Sequence, residues 1–119
     1  MKRIIPTEGQ EQEAVIDYCE LKSIPVYAIP NGGSRDVREA RNLKRQGVKA
    51  GVPDLCIPIP KGQYAALYIE MKRIRFSKTS QEQKDWIELL NKEGNMAVIC
   101  HGADEAIKTI NRYLGALNV

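Results

Sequence analysis

Between Ala65 and Lys72 every second residue from Leu67 on is apolar: Leu67, Ile69 and Met71 alternate with Tyr68, Glu70 and Lys72. Successive side chains of an extended chain point to opposite faces, so this stretch predicts a strand with one apolar face. Glu70 and Lys72 then stand next to each other on the other face. Upstream, Leu55, Cys56 and Ile57 form a short apolar run, which Pro58 and Pro60 end because proline has no amide to give to a sheet ladder. Lys61-Gly62-Gln63 reads as the turn between the two runs. A hairpin closed there brings Asp54, at the start of the first run, beside Glu70 on the second.

The flanking segments have their own signals. Thr7 and Gln10 make a capping-box pattern, with Ala14, Val15, Tyr18 and Cys19 at helical spacing behind it, so a first helix is expected over about residues 8 to 22. Val26 to Ile29 is a short strand that Pro30, Asn31, Gly32 and Gly33 break. Ser34 is expected to cap a second helix, with Val37, Ala40 and Leu43 along one side. Gly47 and Gly51 loosen the chain ahead of Pro53 and Asp54. After a basic connector at 73–79, Ser80 and Gln83 form a second capping box for a helix through Trp86, Leu89 and Leu90, stopped by Gly94. Trp86 and Leu90 read as core. Met96 to Cys100 is an apolar strand, and Asp104 is expected to begin a last helix with Ala106, Ile107, Ile110, Tyr113 and Leu114 inward. The order α-β-α-β-β-α-β-α predicts an α/β fold, a mixed sheet flanked by helices, in one domain over 1–119.

Length and charge narrow the function classes. At 119 residues and 43% apolar content the chain supports one hydrophobic core and leaves no room for a second domain. Cys19, Cys56 and Cys100 are odd in number and sit in apolar runs, as core thiols of a reducing compartment do; no CxxC pair argues for zinc or redox work. His101 is the only histidine and reads as a polar strand end rather than a ligand. Without a leader pattern or an apolar run near the roughly 20 residues that span a bilayer, a soluble cytoplasmic protein with no membrane partner is expected. The net charge is +3, yet within 35–49 Arg35, Arg38, Arg41, Lys44, Arg45 and Lys49 face only Asp36 and Glu39, a local excess of four that leaves the remainder at about −1. On a helix the arginines at 35, 38 and 41 and then Lys44 or Arg45 make a basic stripe suited to phosphates. Asn31 with Gly32 and Gly33 forms an amide-rich turn of the kind that also holds anions.

Phosphodiester hydrolysis needs a hard cation held by few carboxylates, and two acids on adjacent strands provide them. An acid at a strand start and, about fifteen residues later, Glu-x-Lys resembles the core pattern of PD-(D/E)XK nucleases, here Asp54, Glu70 and Lys72. Further segments narrow the likeness: Glu8 with Gln12, Ile29-Pro30-Asn31-Gly32-Gly33, Lys49-Ala50-Gly51-Val52-Pro53-Asp54-Leu55, Tyr68-Ile69-Glu70-Met71-Lys72, and Ser80-Gln81-Glu82-Gln83 leading to Trp86. From residue 8 to about 114 the chain resembles the VRR-NUC branch in its minimal stand-alone form, typical of phages. The resemblance implies a restriction-endonuclease-like fold and a DNA endonuclease, in the host-cell cytoplasm if phage-encoded. It also implies Mg²⁺ or Mn²⁺ on Asp54, Glu70 and the main-chain carbonyl of Met71, a completing glutamate on the first helix, and catalytic roles for Lys72 and Gln83. Stand-alone members are similar to Holliday junction resolvases in acting as homodimers on branched DNA. Glu8 and Glu11 share a helix face with Val15, so spacing cannot choose between them; Glu8 fits the family's Glu-x-x-x-Gln pattern and is preferred, with Glu11 the competing candidate. The rival readings are a non-catalytic nucleic-acid-binding module that positions DNA for another enzyme, and a protein-interaction domain whose basic helix meets an acidic partner.

Overall fold

In the computed structural model, which describes residues 4–31 and 36–115, the alternating stretch is a strand with its apolar half against helices. In chain order the elements are α1 (Glu8–Leu21), β1 (Tyr27–Ala28), α2 (Val37–Arg45), β2 (Leu55–Ile57), β3 (Leu67–Lys72), α3 (Gln81–Lys92), β4 (Met96–His101) and α4 (Ala103–Leu114). The strands form one mixed sheet in the order β1-β2-β3-β4. β1 and β3 pair antiparallel with β2, whereas β3 and β4 run parallel, joined by α3 as a parallel crossover requires.

Leu67, Ile69 and Met71 of β3 share a core with Leu55, Ile57 and Cys100, under Val15 and Cys19 of α1 and Ala106, Ile110 and Tyr113 of α4. Two tyrosine hydroxyls tie this layer together: Tyr18 donates to Asn111 Oδ1 at 2.8 Å, and Tyr113 to the Ile59 carbonyl at 2.6 Å. α3 lies toward the opposite face, where Gln83 meets Glu70 and Lys72. It also guards the sheet edge. The Asn91 amide donates to the Ala97 carbonyl at 3.0 Å and accepts from the Ala97 N–H at 2.9 Å, so those edge groups of β4 have side-chain partners.

Both capping boxes form, Thr7 with Gln10 and Ser80 with Gln83. Three expectations change. The second helix starts at Val37 with Asp36 as its cap, accepting from Arg38 N at 2.8 Å; Ser34 lies outside the described residues, as do Gly32, Gly33 and Arg35. Aspartate caps as well as serine, and here it is the carboxylate that meets the free amides. No side chain of α2 is buried, and Val37, on the side that carries its apolar residues, is 72% exposed. Trp86 and Leu90 are half-buried and lie outside the core cluster. The last helix begins at Ala103, one residue before Asp104, after Gly102 turns the chain at φ +91.

The three cysteines are buried and unpaired, and no helix among the described residues is long and apolar enough to cross a membrane. Urea unfolding should separate core from rim: Ile69→Ala is expected to lower stability by about 2–5 kcal/mol. Val37→Ser should change it by no more than about 0.5 kcal/mol.

Candidate metal centre and nucleic-acid interface

The pairing of Leu55 with Ile69, continued one step, sets Asp54 opposite Glu70. Asp54 Oδ2 accepts the Met71 N–H at 2.7 Å, which fixes the carboxylate past the end of the ladder. Backbone direction then places a further donor. Gly102 N donates to the Lys72 carbonyl, so even-numbered residues of β3 turn their backbone groups toward β4 and odd-numbered ones toward β2. The Met71 carbonyl therefore faces β2 at the level of Pro53, a residue with no N–H to offer it.

Gly51 explains how α3 comes to the site. It has φ +89, and a Cβ there would stand 2.6 Å from the Glu82 carbonyl carbon and 2.8 Å from Gln83 N. Only a glycine lets the segment before Asp54 press against the first turn of α3. Gln83, held by that contact and by its capping box, reaches two strand residues at once. Its Nε2 donates to Glu70 Oε2 at 3.1 Å, and its Oε1 accepts from Lys72 Nζ at 2.8 Å and from Ser80 N at 2.9 Å. Lys72 Nζ also donates to the Lys78 carbonyl at 2.7 Å and stands 4.0 Å from Glu70 Oε2.

Glu8, the first residue of α1, completes the group: Glu8, Asp54 and Glu70 each offer a carboxylate oxygen, all within 4.8 Å of one another. Asp54 is 7% exposed, Glu70 2% and Lys72 5%, so water screens these charges little. Burial first, and then the neighbouring Asp54 charge, pushes the Glu70 carboxyl up to about 8, with Lys72 acting in the opposite sense. Glu8 is raised too, by burial and then by Asp54. Three crowded oxygen donors with one ammonium nearby are short of positive charge. A hard divalent cation fits that set, because it binds carboxylate and carbonyl oxygens and displaces the protons that repulsion retains.

The VRR-NUC domain family model matches residues 7–104, which contain the whole cluster. The chain belongs to the VRR-NUC domain family. A solved structure described as a VRR_NUC domain protein is 34% identical, with a TM-score of 0.80 over 94% of this chain and 91% of that one. Curated proteins give no match. VRR-NUC is a nuclease-type domain, and the carboxylate cluster falls within the residues that match it.

Within this VRR-NUC domain Glu11 has different company from Glu8. It is 8% exposed, and its Oε1 accepts the Ala103 N–H at 3.3 Å, at the start of α4, where Gly102 supplies no side-chain cap. A carboxylate suits a helix N-terminus, so Glu11 docks α1 on α4 and leaves Glu8, one turn earlier, at the cluster. Gly102 permits this approach, since a Cβ there would lie 3.1 Å from Glu11 Oε2.

The basic segment is at the surface. Arg38, Arg41, Lys44, Arg45 and Lys49 are all exposed, and the ion pair found among the described residues is Lys72 with Glu70, so none of the five is neutralised by an acid within 4.0 Å. Exposed Asn31 joins Lys44 and Lys49 around a cleft of about 250 Å³, while Arg35 lies outside the described residues.

Sequence reasoning missed the contact of Gly51 with α3, the Lys78 carbonyl on Lys72 and the capping role of Glu11. Only the first left a signal, a glycine shortly before a buried aspartate. The raised Glu70 carboxyl gives a pH test. The folded chain keeps a proton that the unfolded chain loses above the ordinary carboxylate range, so metal-free stability should fall as pH rises from about 4.5 toward about 8. Thermal unfolding in EDTA across that range is expected to show the decline, and added Mg²⁺ or Mn²⁺ should flatten it.

Proposed function

We propose that this VRR-NUC domain is a Mg²⁺- or Mn²⁺-dependent endonuclease that hydrolyses phosphodiester bonds of branched DNA, such as Holliday junctions, as a homodimer. The observation that carries this reading is the convergence of Glu8, Asp54 and Glu70 beside a lysine held by Gln83. Each strand carboxylate has one oxygen taken by a fixed donor: Asp54 Oδ2 by Met71 N and Glu70 Oε2 by Gln83 Nε2. Their other oxygens, with Glu8 and the Met71 carbonyl, would hold the cation. Bound there, the cation supplies Lewis acidity toward a phosphoryl oxygen and a more acidic water.

The chain's own residues do the rest. Two neutral acceptors, the Lys78 carbonyl and Gln83 Oε1, fix the Lys72 ammonium without cancelling its charge. One of its three N–H donors remains to orient the attacking water or to meet charge developing on the phosphate. Gln83 couples that lysine to Glu70, so the pair moves as one unit. Glu11 positions the helix that bears Glu8 and takes no part in the chemistry.

Asn31, Arg35, Arg38, Arg41, Lys44, Arg45 and Lys49 grip the phosphate backbone, a contact indifferent to sequence and sensitive to salt. One site cuts one strand, so paired incisions in a symmetric junction call for two copies related by a two-fold axis. Buried free thiols at Cys19, Cys56 and Cys100 suit the reducing cytoplasm.

Labelled four-way junction, flap and linear duplex, incubated with Mg²⁺, Mn²⁺ or EDTA, test the reading. Asp54→Ala and Glu70→Ala are expected to lower metal-dependent cutting by roughly 10²-fold or more while binding in EDTA persists. Unchanged cleavage in both variants would sink the assignment; binding without cutting by the wild type would favour a module that positions DNA for another enzyme. For the grip, each of Arg38→Ala, Arg41→Ala and Lys44→Ala is expected to reduce the slope of log affinity against log salt by about 0.9. An unchanged slope in all three would remove the basic helix from the interface.

A further inference from the structure

The connector from β3 to α3, residues 73–79, holds Arg73, Arg75 and Lys78 and no acid. Both of its ends are tied to the carboxylate site. It leaves directly from Lys72, whose Nζ returns to the Lys78 carbonyl at 2.7 Å, and Arg73 O lies 3.4 Å from His101 Nδ1. Phe76, between these anchors, is 83% exposed and has φ +63. A bulky side chain in the left-handed region is strained, and a ring this exposed gains almost nothing from burial. Neither the backbone nor packing accounts for phenylalanine where glycine would relax the turn. Beside it, Ile4, Ile5, Pro6, Ile74 and Arg75 border an open cleft of about 320 Å³ whose lining is mostly apolar.

We propose that Phe76 is a stacking residue for a nucleobase left unstacked near the scissile phosphate, so that the connector recognises DNA in which base stacking is interrupted. The proposal rests on the nuclease reading above and adds the feature of the substrate that is read. Phe76 is two residues from Lys78, which limits the separation of their Cα atoms to about 7 Å, roughly two base steps of duplex rise. With the 2.7 Å from the Lys78 carbonyl to Lys72 Nζ and the length of the phenylalanine side chain added, the ring lies within a few nucleotides of a phosphate held at Lys72. In continuous duplex both faces of every base are covered by neighbours, so a protein ring finds a free face only at a branch, flap, nick or end. Arg75 and Lys78, both exposed, supply charge that tracks the backbone, the usual companion of a stacking aromatic in single-strand recognition.

The test compares wild type, Phe76→Gly and Phe76→Trp for binding in EDTA to a four-way junction, a flap and a matched linear duplex. The first two carry 2-aminopurine at the branch. Phe76→Gly is expected to weaken junction and flap binding about tenfold, to leave duplex binding unchanged, and to lose the fluorescence change of 2-aminopurine. Its melting temperature should hold or rise, because glycine relieves the positive φ. Phe76→Trp should bind like the wild type. Equal affinities of wild type and Phe76→Gly for every DNA would overturn the proposal. So would a lower melting temperature with loss of dimer in sedimentation, which assigns the ring to a contact between copies. Because binding is read without metal, absence of cutting on all substrates fails the nuclease reading alone, whereas intact cutting with indifferent binding fails the stacking role alone.

Discussion

Leu55 pairs with Ile69, and the rest of the site follows from that register. It places Asp54 across from Glu70, lets the Met71 amide fasten the Asp54 carboxylate, and turns the Met71 carbonyl toward a proline that cannot donate to it. A slip of one residue would reverse the faces of β3. Glu70 and Lys72 would then enter the layer built by Val15, Ile110 and Tyr113, where no partner exists for either charge, and Leu67, Ile69 and Met71 would face Gln83. The apolar side of the strand thus selects the register, and the register assembles the chemistry on the polar side. Packing and function share one strand without competing for the same side chains.

Buried charge is what this arrangement must accommodate. Glu70 and Lys72 lie within 4.0 Å and are almost fully desolvated, yet a buried ion pair adds little stability once the lost hydration of both partners is counted. Gln83 makes the burial tolerable by satisfying an oxygen of the acid and a proton of the base together. Its reach depends on Gly51, whose missing side chain allows α3 to come close. A glycine about twenty residues before the lysine on the chain is therefore part of what holds that lysine in place.

The sequence was legible where the signals are local. Alternation in β3, the prolines after β2 and the two capping boxes each involve residues within a few positions of one another, and the strands, the hairpin and the starts of α1 and α3 could be read from them. Asp54, Glu70 and Lys72 were legible for the same reason, since the hairpin converts sequence spacing into adjacency. Helix burial was read less well. A helical apolar stripe shows that a face exists, not that anything covers it, and so Trp86 and Leu90 were placed further inside than they lie. The cap of α2 was read as Ser34, whereas Asp36, which suits a helix start equally well, takes that place. Helical spacing could not separate Glu11 from Glu8, and the preference for Glu8 rested on the family pattern: the partner amide of Glu11 is 92 residues away at Ala103, and no spacing rule reaches that far.

The helix that carries the basic stripe is the shortest of the four described. α2 has nine residues, fewer than the roughly 12–15 at which an isolated helix becomes marginal in water, and like α3 it buries no side chain. Its support comes from Asp36 at the cap and from Lys44 and Arg45 near the negative end of the helix dipole. Against these, Arg38, Arg41 and Lys44 or Arg45 stand three to four residues apart and repel one another. Phosphates laid along that row would remove the repulsion, and a ligand that binds the helical form alone stabilises that form by mass action. The proposed DNA binding and the stability of α2 would thereby be linked. The carboxylates are held by the sheet, α1 and α3, so the element proposed to meet the backbone is separate from those that carry the cluster.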